Sequence, residues 1–182
     1  MAKAKRNRVS AETCAGSMHL PFVPRDYLAA ALTAIVALAV YLPMVSSTVT
    51  GEDSGDFITA AYTLGIAHPP GYPLWCMLAK LFTFIPYDTI AWRVSAMSAF
   101  WGASAAAIVC LIVIRITRNR VAAVAAGLAV AFSFEFWEQA VIAEVYSLNA
   151  FFIVLCILIL FVWQETRKDK LLYIFAAVYG LG

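Results

Sequence analysis

Long apolar segments alternate with short polar ones along most of this chain. The apolar segments lie at about 27–47, 72–85, 89–114, 121–134, 141–163 and 171–182. Several of them approach or exceed the roughly 20 residues that an α-helix needs to cross the hydrocarbon core of a bilayer. Because lipid offers no hydrogen-bond partners to the backbone, spanning segments of this kind form helices. The pattern predicts an all-α, polytopic transmembrane helix bundle.

The composition agrees with a membrane protein. Hydrophobic residues make up 63% of the chain and charged residues 13%, whereas a soluble domain carries roughly 25% charged residues. The four cysteines show no CxxC spacing and are expected to be small buried apolar residues. The two histidines are isolated, so the sequence contains no metal-binding motif. The need for a divalent cation is left open, and we expect the lipid bilayer, not nucleic acid, as a partner.

The basic residues predict the topology. Eleven of the thirteen lie in the N-terminal tail and in two short loops, and short basic loops stay in the cytoplasm. These eleven are Lys3, Lys5, Arg6, Arg8, Arg25, Arg115, Arg118, Arg120, Arg167, Lys168 and Lys170. Both loops are cytoplasmic only if residues 48–88 make no net crossing. We therefore expect the proline-bracketed segment 72–85 to be an interfacial helix on the outer face.

This reasoning divides the chain into a basic cytoplasmic tail, residues 1–26, and a transmembrane domain, residues 27–182. About five spans are expected, with an outer-face loop at 48–88; the spans are 27–47, 89–114, 121–134, 141–163 and 171–182. The last is too short to cross, so we expect a longer natural chain or a fragment. An integral protein of the bacterial inner membrane with a cytoplasmic N-terminus fits this arrangement.

Seven of the eleven acidic residues fall on the outer side of this topology. They are Glu52, Asp53, Asp56, Asp88, Glu135, Glu138 and Glu144. The densest group is the stretch GEDSGDF at 51–57. Asp53 there is either the N-cap of a helix at 54–65, with Asp56 favoured by the helix dipole, or part of a carboxylate site at the membrane surface. The two interpretations are compatible.

Three further features are candidates for chemistry. The turn AHPPGYP at 67–73 is rigid, and it either serves structure alone or presents His68 and Tyr72 near the acids. Glu144, Tyr146 and Asn149 lie at or below the outer interface, where an ionisable side chain is a functional candidate. Arg93, at the outer start of its span, either binds an anionic lipid phosphate or pairs with a carboxylate such as that of Asp88.

Three motifs together carry a resemblance to a known family. They are DSGDFITAAYTLGIAHPPGYPL, AWRVSAMSAFWGA and FWEQAVIAEVYSLNAFF. In this order they resemble a membrane family formerly catalogued as a domain of unknown function and since placed with protein O-mannosyltransferases in the GT-C class of glycosyltransferases. The resemblance covers about residues 27–182. It implies a GT-C-like fold with two interfacial helices in the first outer loop, and a sugar donor carried on a polyprenyl phosphate.

The resemblance also implies roles for individual residues. Asp53 and Asp56 match the acidic motif of the first outer loop, which acts as base or positions the acceptor. The other matches are expected to bind substrate; they are His68 and Tyr72 in the turn, with Glu144, Tyr146 and Asn149 in the third motif. An inverting glycosyl transfer needs such a carboxylate to take the proton of the acceptor hydroxyl, and a cation to stabilise the leaving phosphate.

Two other functions stay open at this point. A short, non-catalytic membrane subunit could pack in a larger complex through the small residues of VSAMSAFWGASAAA and VAAVAAGLA. A transporter is disfavoured because its charges would be expected near the middle of the bilayer. The leading expectation is the N-terminal part of a mannosyltransferase-like enzyme.

Overall fold

The computed structural model describes residues 22–51 and 53–182. Most of the predicted basic tail lies outside the described residues, together with Cys14, His19 and Glu52. The described chain is helical and contains no strand, which confirms the predicted all-α bundle.

Eight α-helices follow one another along the described chain. They are α1 Pro24–Tyr41, α2 Ser54–Thr63, α3 Pro73–Thr83, α4 Ile90–Thr117, α5 Arg120–Ala131, α6 Phe134–Ala140, α7 Tyr146–Thr166 and α8 Lys170–Leu181. A short 3-10 helix, Leu42–Met44, extends α1. Three helical stretches in the described residues are long and apolar enough to cross a membrane: α1 with this extension, α4 and α7. Counting α5 and α6 as one bent span gives four.

The longest helix, α4, lies at the centre of the bundle and packs against α1, α5 and α7. Small side chains allow this close approach. A Cβ atom added at Gly127 of α5 would come within 2.8 Å of the Ala106 carbonyl oxygen in α4 and of Thr33 Cγ2 in α1. Gly102 of α4 faces Ala140 of α6 in a similar way, at 3.1 Å. Dispersion contacts between closely packed helices of this kind hold membrane bundles together.

Two ion pairs fix one end of the bundle. Asp26 Oδ1 at the start of α1 accepts a 2.7 Å hydrogen bond from Arg120 Nε at the start of α5. Arg115 near the end of α4 donates from Nε to Glu165 Oε1 near the end of α7 at 2.8 Å, with a second contact through Nη2. These are the helix ends that the basic loops assign to one side of the membrane. That this side faces the cytoplasm stays a prediction.

The opposite end of the bundle collects the other helix ends. The Thr89 hydroxyl donates to the Ser47 carbonyl at 2.7 Å, which ties the end of α1 to the start of α4. The Ser46 N–H donates to the Val141 carbonyl at 3.0 Å. Residues 48–88 contain the two short helices α2 and α3, as predicted; their location at the membrane interface stays a prediction.

Two predicted helix boundaries were wrong. The segment 121–134 does not form one helix, because α5 ends at Ala131 and α6 leaves it at an angle of 68°. The segment 141–163 is not helical at its start, because α7 begins only at Tyr146. Apolar composition continues through both breaks, so hydropathy alone could not locate them.

Candidate functional site

Asp53 occupies the N-cap position of α2, but its side chain makes no capping hydrogen bond. Only its backbone carbonyl joins the helix, accepting from the Phe57 N–H at 3.1 Å. The capping interpretation of the carboxylate is therefore wrong. The side chain is 63% exposed, so its oxygens are accessible to a substrate.

Asp56 and His68 form the best-defined polar contact of the site. One oxygen, Asp56 Oδ2, accepts the His68 backbone N–H at 2.8 Å and lies 3.0 Å from His68 Nδ1. The hydrogen bond from the backbone N–H, followed by that from the imidazole ring, lowers the pKa of the Asp56 carboxyl below its ordinary value. Asp56 is thus ionised at neutral pH, and it joins α2 to the following turn.

The imidazole of His68 lies between the two carboxylates. Its Nε2 atom is 3.6 Å from Asp53 Oδ2, on the side of the ring opposite the Asp56 contact. The ring also packs edge-on against Phe57, at 5.1 Å between centroids, and against Tyr72, at 5.7 Å. Because Phe57 is only 1% exposed, the imidazole is packed against a fixed aromatic core.

The turn at 67–73 presents His68 beside the acids, which is one of the two alternatives that the sequence left open. The Gly71 N–H donates to the His68 carbonyl at 2.9 Å, and Gly71 has a φ of +95°, a conformation in which a side chain would be strained. Pro73 then starts α3, where its missing N–H is not needed. A rigid turn followed by Gly71 and then by Pro73 thereby fixes the position of the His68 imidazole.

Two cavities lie next to the site formed by Asp53, Asp56 and His68. The polar cleft, of about 770 Å³, is lined by Asp53, Glu135, Phe136, Gln139, Tyr146, Ser147 and Ala150. The apolar cavity, of about 510 Å³, lies between the turn with α3, the start of α7 and the end of α8; its lining includes Pro70, Tyr72, Tyr146, Asn149 and residues 180–182. Tyr146 borders both, and it is 56% exposed. Tyr146 therefore lies where the cleft lined by Asp53 and Glu135 meets the apolar cavity.

Sequence reasoning missed part of the polar cleft. The sequence places Glu135 among the outer-side acids without linking it to Asp53, and it gives no role to Gln139 or Ser147. Glu135 and Gln139 are four residues apart on α6 and share a face. That spacing was a usable signal, whereas the bend that turns this face towards Asp53 was not visible in the sequence.

Glu144 lies in the turn before α7 and is 3% exposed. Its backbone carbonyl accepts from Trp75 Nε1 and from the Ser98 hydroxyl, each at 3.1 Å. The residue thus connects α3, α4 and the start of α7. Glu144 is not among the residues that line the polar cleft or the apolar cavity.

Arg93 also has a structural role in the described chain. Its guanidinium donates to three backbone carbonyls, those of Thr83, Tyr87 and Asp88, at 2.7 to 3.1 Å. It binds the Asp88 carbonyl and not the Asp88 carboxylate, which instead accepts from the Ser47 hydroxyl at 3.0 Å. Arg93 therefore fixes the loop between α3 and α4. These contacts do not place its guanidinium beside Asp53.

Three cysteines lie in the described residues. Cys76 and Cys110 are buried, and Cys156 is partly buried. Within residues 22–51 and 53–182, His, Cys, Asp and Glu side chains form no group of three or more that could hold a metal ion.

Comparison with known proteins gives one family. Residues 53–182 match the family described as "Protein O-mannosyl-transferase TMEM260 N-terminal domain". The Protein O-mannosyl-transferase TMEM260 of Mus musculus is 36% identical over 133 residues, which cover 72% of this chain and 19% of the mouse protein. Its namesake in Dictyostelium discoideum is 34% identical over 119 residues, 64% of this chain and 14% of that protein. No solved structure matches.

The match begins at Asp53 and includes all three motifs of the sequence analysis. The chain spans less than a fifth of the length of these two relatives. Both are eukaryotic, so they do not support a bacterial inner membrane as its location. With a family match over more than half of its length, this integral membrane protein belongs to the TMEM260 N-terminal domain family of protein O-mannosyl-transferases.

Proposed function

We propose that this chain forms the catalytic N-terminal part of a GT-C glycosyltransferase that moves mannose from a polyprenyl phosphate to a protein hydroxyl on the outer face of its membrane. The observation that carries the proposal is the position of Asp53. Its exposed carboxylate lines the polar cleft, and the same cleft is bordered by Tyr146, which also borders the apolar cavity. An acceptor in the cleft and a lipid-linked donor in the cavity would meet beside Asp53.

The reaction assigns a role to each cavity. The polyprenyl chain occupies the apolar cavity, where burial of its apolar surface contributes to binding. The Tyr146 hydroxyl and the Asn149 amide donate hydrogen bonds to the donor phosphate or sugar. The acceptor enters the polar cleft, where Glu135, Gln139 and Ser147 offer polar atoms. The name shared by the two relatives supports mannose and a protein acceptor.

Asp53 acts as the general base. It takes the proton of the acceptor hydroxyl while the acceptor oxygen bonds to the anomeric carbon. The bond from that carbon to the phosphate oxygen breaks, and the lipid phosphate leaves with the electron pair. Positioned bases of this kind contribute a factor of about 100 to 10,000 to the rate. Arg93 is not assigned to the phosphate, because its guanidinium donates to backbone carbonyls.

The test is Asp53→Asn in the complete gene product. Proteoliposomes receive polyprenyl-phosphate mannose carrying a radiolabel, and membrane proteins of the source cells serve as acceptors. Since the Asp53 side chain makes no capping bond, the asparagine variant should fold normally, while labelled protein forms at least about 100-fold more slowly. Thr59→Ala is the control, because Thr59 is exposed on the same helix and its hydroxyl bonds only within that helix, to Gly55. Transfer by Asp53→Asn at the rate of the control would refute the assignment.

A further inference from the structure

We propose that His68 receives the proton from Asp53 and that Asp56 holds His68 in the tautomer that can do so. The inference rests on the proposed function, which it deepens. It revises the sequence expectation, in which Asp56 belonged to the motif that acts as base or positions the acceptor, and His68 was a substrate-binding residue. Three observations support it. The two ring nitrogens of His68 face Asp56 and Asp53, the ring packs against buried Phe57, and the Asp53 side chain is exposed.

The tautomer follows from what a carboxylate can do. An ionised carboxylate only accepts hydrogen bonds, so the 3.0 Å contact between Asp56 Oδ2 and His68 Nδ1 requires the proton on Nδ1. In the neutral ring the lone pair is then on Nε2. That nitrogen is the one facing Asp53 Oδ2, at 3.6 Å. Asp56 thus fixes the ring so that its basic nitrogen faces the proposed base.

The two carboxylates differ in what already binds them. Asp56 Oδ2 accepts both a backbone N–H and the ring Nδ1–H, which makes Asp56 a weak base. The Asp53 side chain makes no capping bond and is more exposed, at 63% against 47% for Asp56. The 3.6 Å separation exceeds a hydrogen bond, so the transfer requires the exposed Asp53 side chain to move closer to His68 Nε2. Asp53 is therefore suited to contact the acceptor, and Asp56 to orient the ring.

The acceptor proton passes from Asp53 to His68 and then to water. After transfer, Asp53 is a carboxylic acid that carries the acceptor proton. An imidazole is a stronger base than a carboxylate in water, so the proton passes from the Asp53 oxygen to the His68 Nε2 lone pair and restores the carboxylate. The resulting imidazolium lies between two negative charges. It releases the proton to water, since its side chain is 36% exposed.

The geometry also separates this role from a structural one. The turn is held to α2 by the His68 backbone N–H, which donates to Asp56 at 2.8 Å and does not need the ring. His68→Ala therefore keeps that anchor while removing the basic nitrogen. His68→Gln keeps an amide that can donate to Asp56, but it has no group that accepts a proton.

The experiment measures kcat and KM for polyprenyl-phosphate mannose, with and without added imidazole, on the complete gene product in proteoliposomes. Both His68 variants should lose about 10- to 100-fold in kcat, with KM for the donor unchanged. Added imidazole should restore part of the kcat of His68→Ala, because it can occupy the emptied space and accept the proton. It should not change the kcat of the Thr59→Ala control.

The outcomes separate the two proposals. If either His68 variant turns over at the rate of the control, or if imidazole has no effect on His68→Ala, the relay is wrong. If the same preparation shows Asp53→Asn to be inactive, the proposed function still stands. If Asp53→Asn retains normal transfer, the proposed function itself is refuted. A raised KM with unchanged kcat in the His68 variants would assign His68 to substrate binding and overturn the relay.

Discussion

Gly127 is the position where the packing of the bundle can be tested most sharply. Its α-carbon lies where α5 crosses α4 and α1, and an added Cβ would come within 2.8 Å of the Ala106 oxygen and of Thr33 Cγ2, and within 3.4 Å of Cys110 Cβ. Carbon atoms in good contact are about 3.5–4.0 Å apart. The neighbouring helices must therefore move apart to accept any side chain at this position.

The expected cost combines two opposing effects. Overpacking a close contact costs about 1–3 kcal/mol, while replacing a helical glycine by alanine gains about 1 kcal/mol in helix propensity. Gly127→Ala should thus lower the free energy of unfolding by about 0–2 kcal/mol. Gly127→Leu gains no more helix propensity than alanine and adds three further carbons, so we expect a loss of about 3 kcal/mol or more.

Thermal unfolding in detergent, followed by fluorescence-detected gel filtration, measures the effect. A loss of 1 kcal/mol lowers the Tm of a domain of about 150–250 residues by about 2–4 °C, so Gly127→Leu should melt at least about 6 °C below the wild type. Ala125→Leu is the matched control, since Ala125 lies on the exposed face of the same helix. Equal melting temperatures for the two leucine variants would refute the close crossing. The displacement would also move α6, which carries the Glu135 side of the polar cleft.

Two further predictions concern topology and pH. For topology, single cysteines are placed in a background without the native ones, and a membrane-impermeant maleimide is added outside. It should label Thr48→Cys and should reach Lys168→Cys only after permeabilisation, because these exposed positions lie at opposite ends of the bundle. The reverse result would invert the topology. The contact with His68 lowers the pKa of the Asp56 carboxyl, so it stabilises the turn at 67–73 above the pKa of a free aspartate and loses this effect as pH falls through the lowered value. The protection factors of the turn amides, which correct exchange rates for the intrinsic effect of pH, should therefore fall only below about pH 4. Asp56→Asn should remove that step, and a fall already between about pH 5 and 7 would contradict the assignment.

The sequence predicted the helical class and the ends of the bundle well, for a physical reason. Hydropathy and basic loops report on the transfer of whole segments between water and lipid, and that term is large for each span. Helix ends are decided by smaller energies. The break between Ala131 and Phe134 and the late start of α7 at Tyr146 depend on which backbone groups find partners in neighbouring helices. A single sequence does not contain that information in a readable form.

The candidate site was predicted in part. The sequence indicated a rigid turn, because prolines and glycine allow few backbone conformations, but it left open whether the turn presents His68 to Asp53 and Asp56. The role of Asp53 as a cap was wrong, although capping is the usual function of an aspartate at that position. The preceding segment is held instead by Ser54, whose hydroxyl donates to the Thr50 carbonyl at 2.9 Å and accepts from its N–H at 3.0 Å. Ser54 thus holds the segment before α2, which is a different role from capping the free N–H groups of that helix.

At this end of the bundle, the polar residues that hold the fold differ from those that face a cavity. Wherever a helix stops, backbone N–H and C=O groups lose their helical partners, and lipid supplies none. Arg93 donates to the carbonyls that follow α3, and the carbonyl of Glu144, just before α7, is met by Trp75 and Ser98. These polar groups are already committed to the fold. Asp53 and Tyr146 combine high exposure with a position on the polar cleft. Exposure at a cavity, more than polarity in an apolar sequence, is therefore the property that marks the residues available for chemistry.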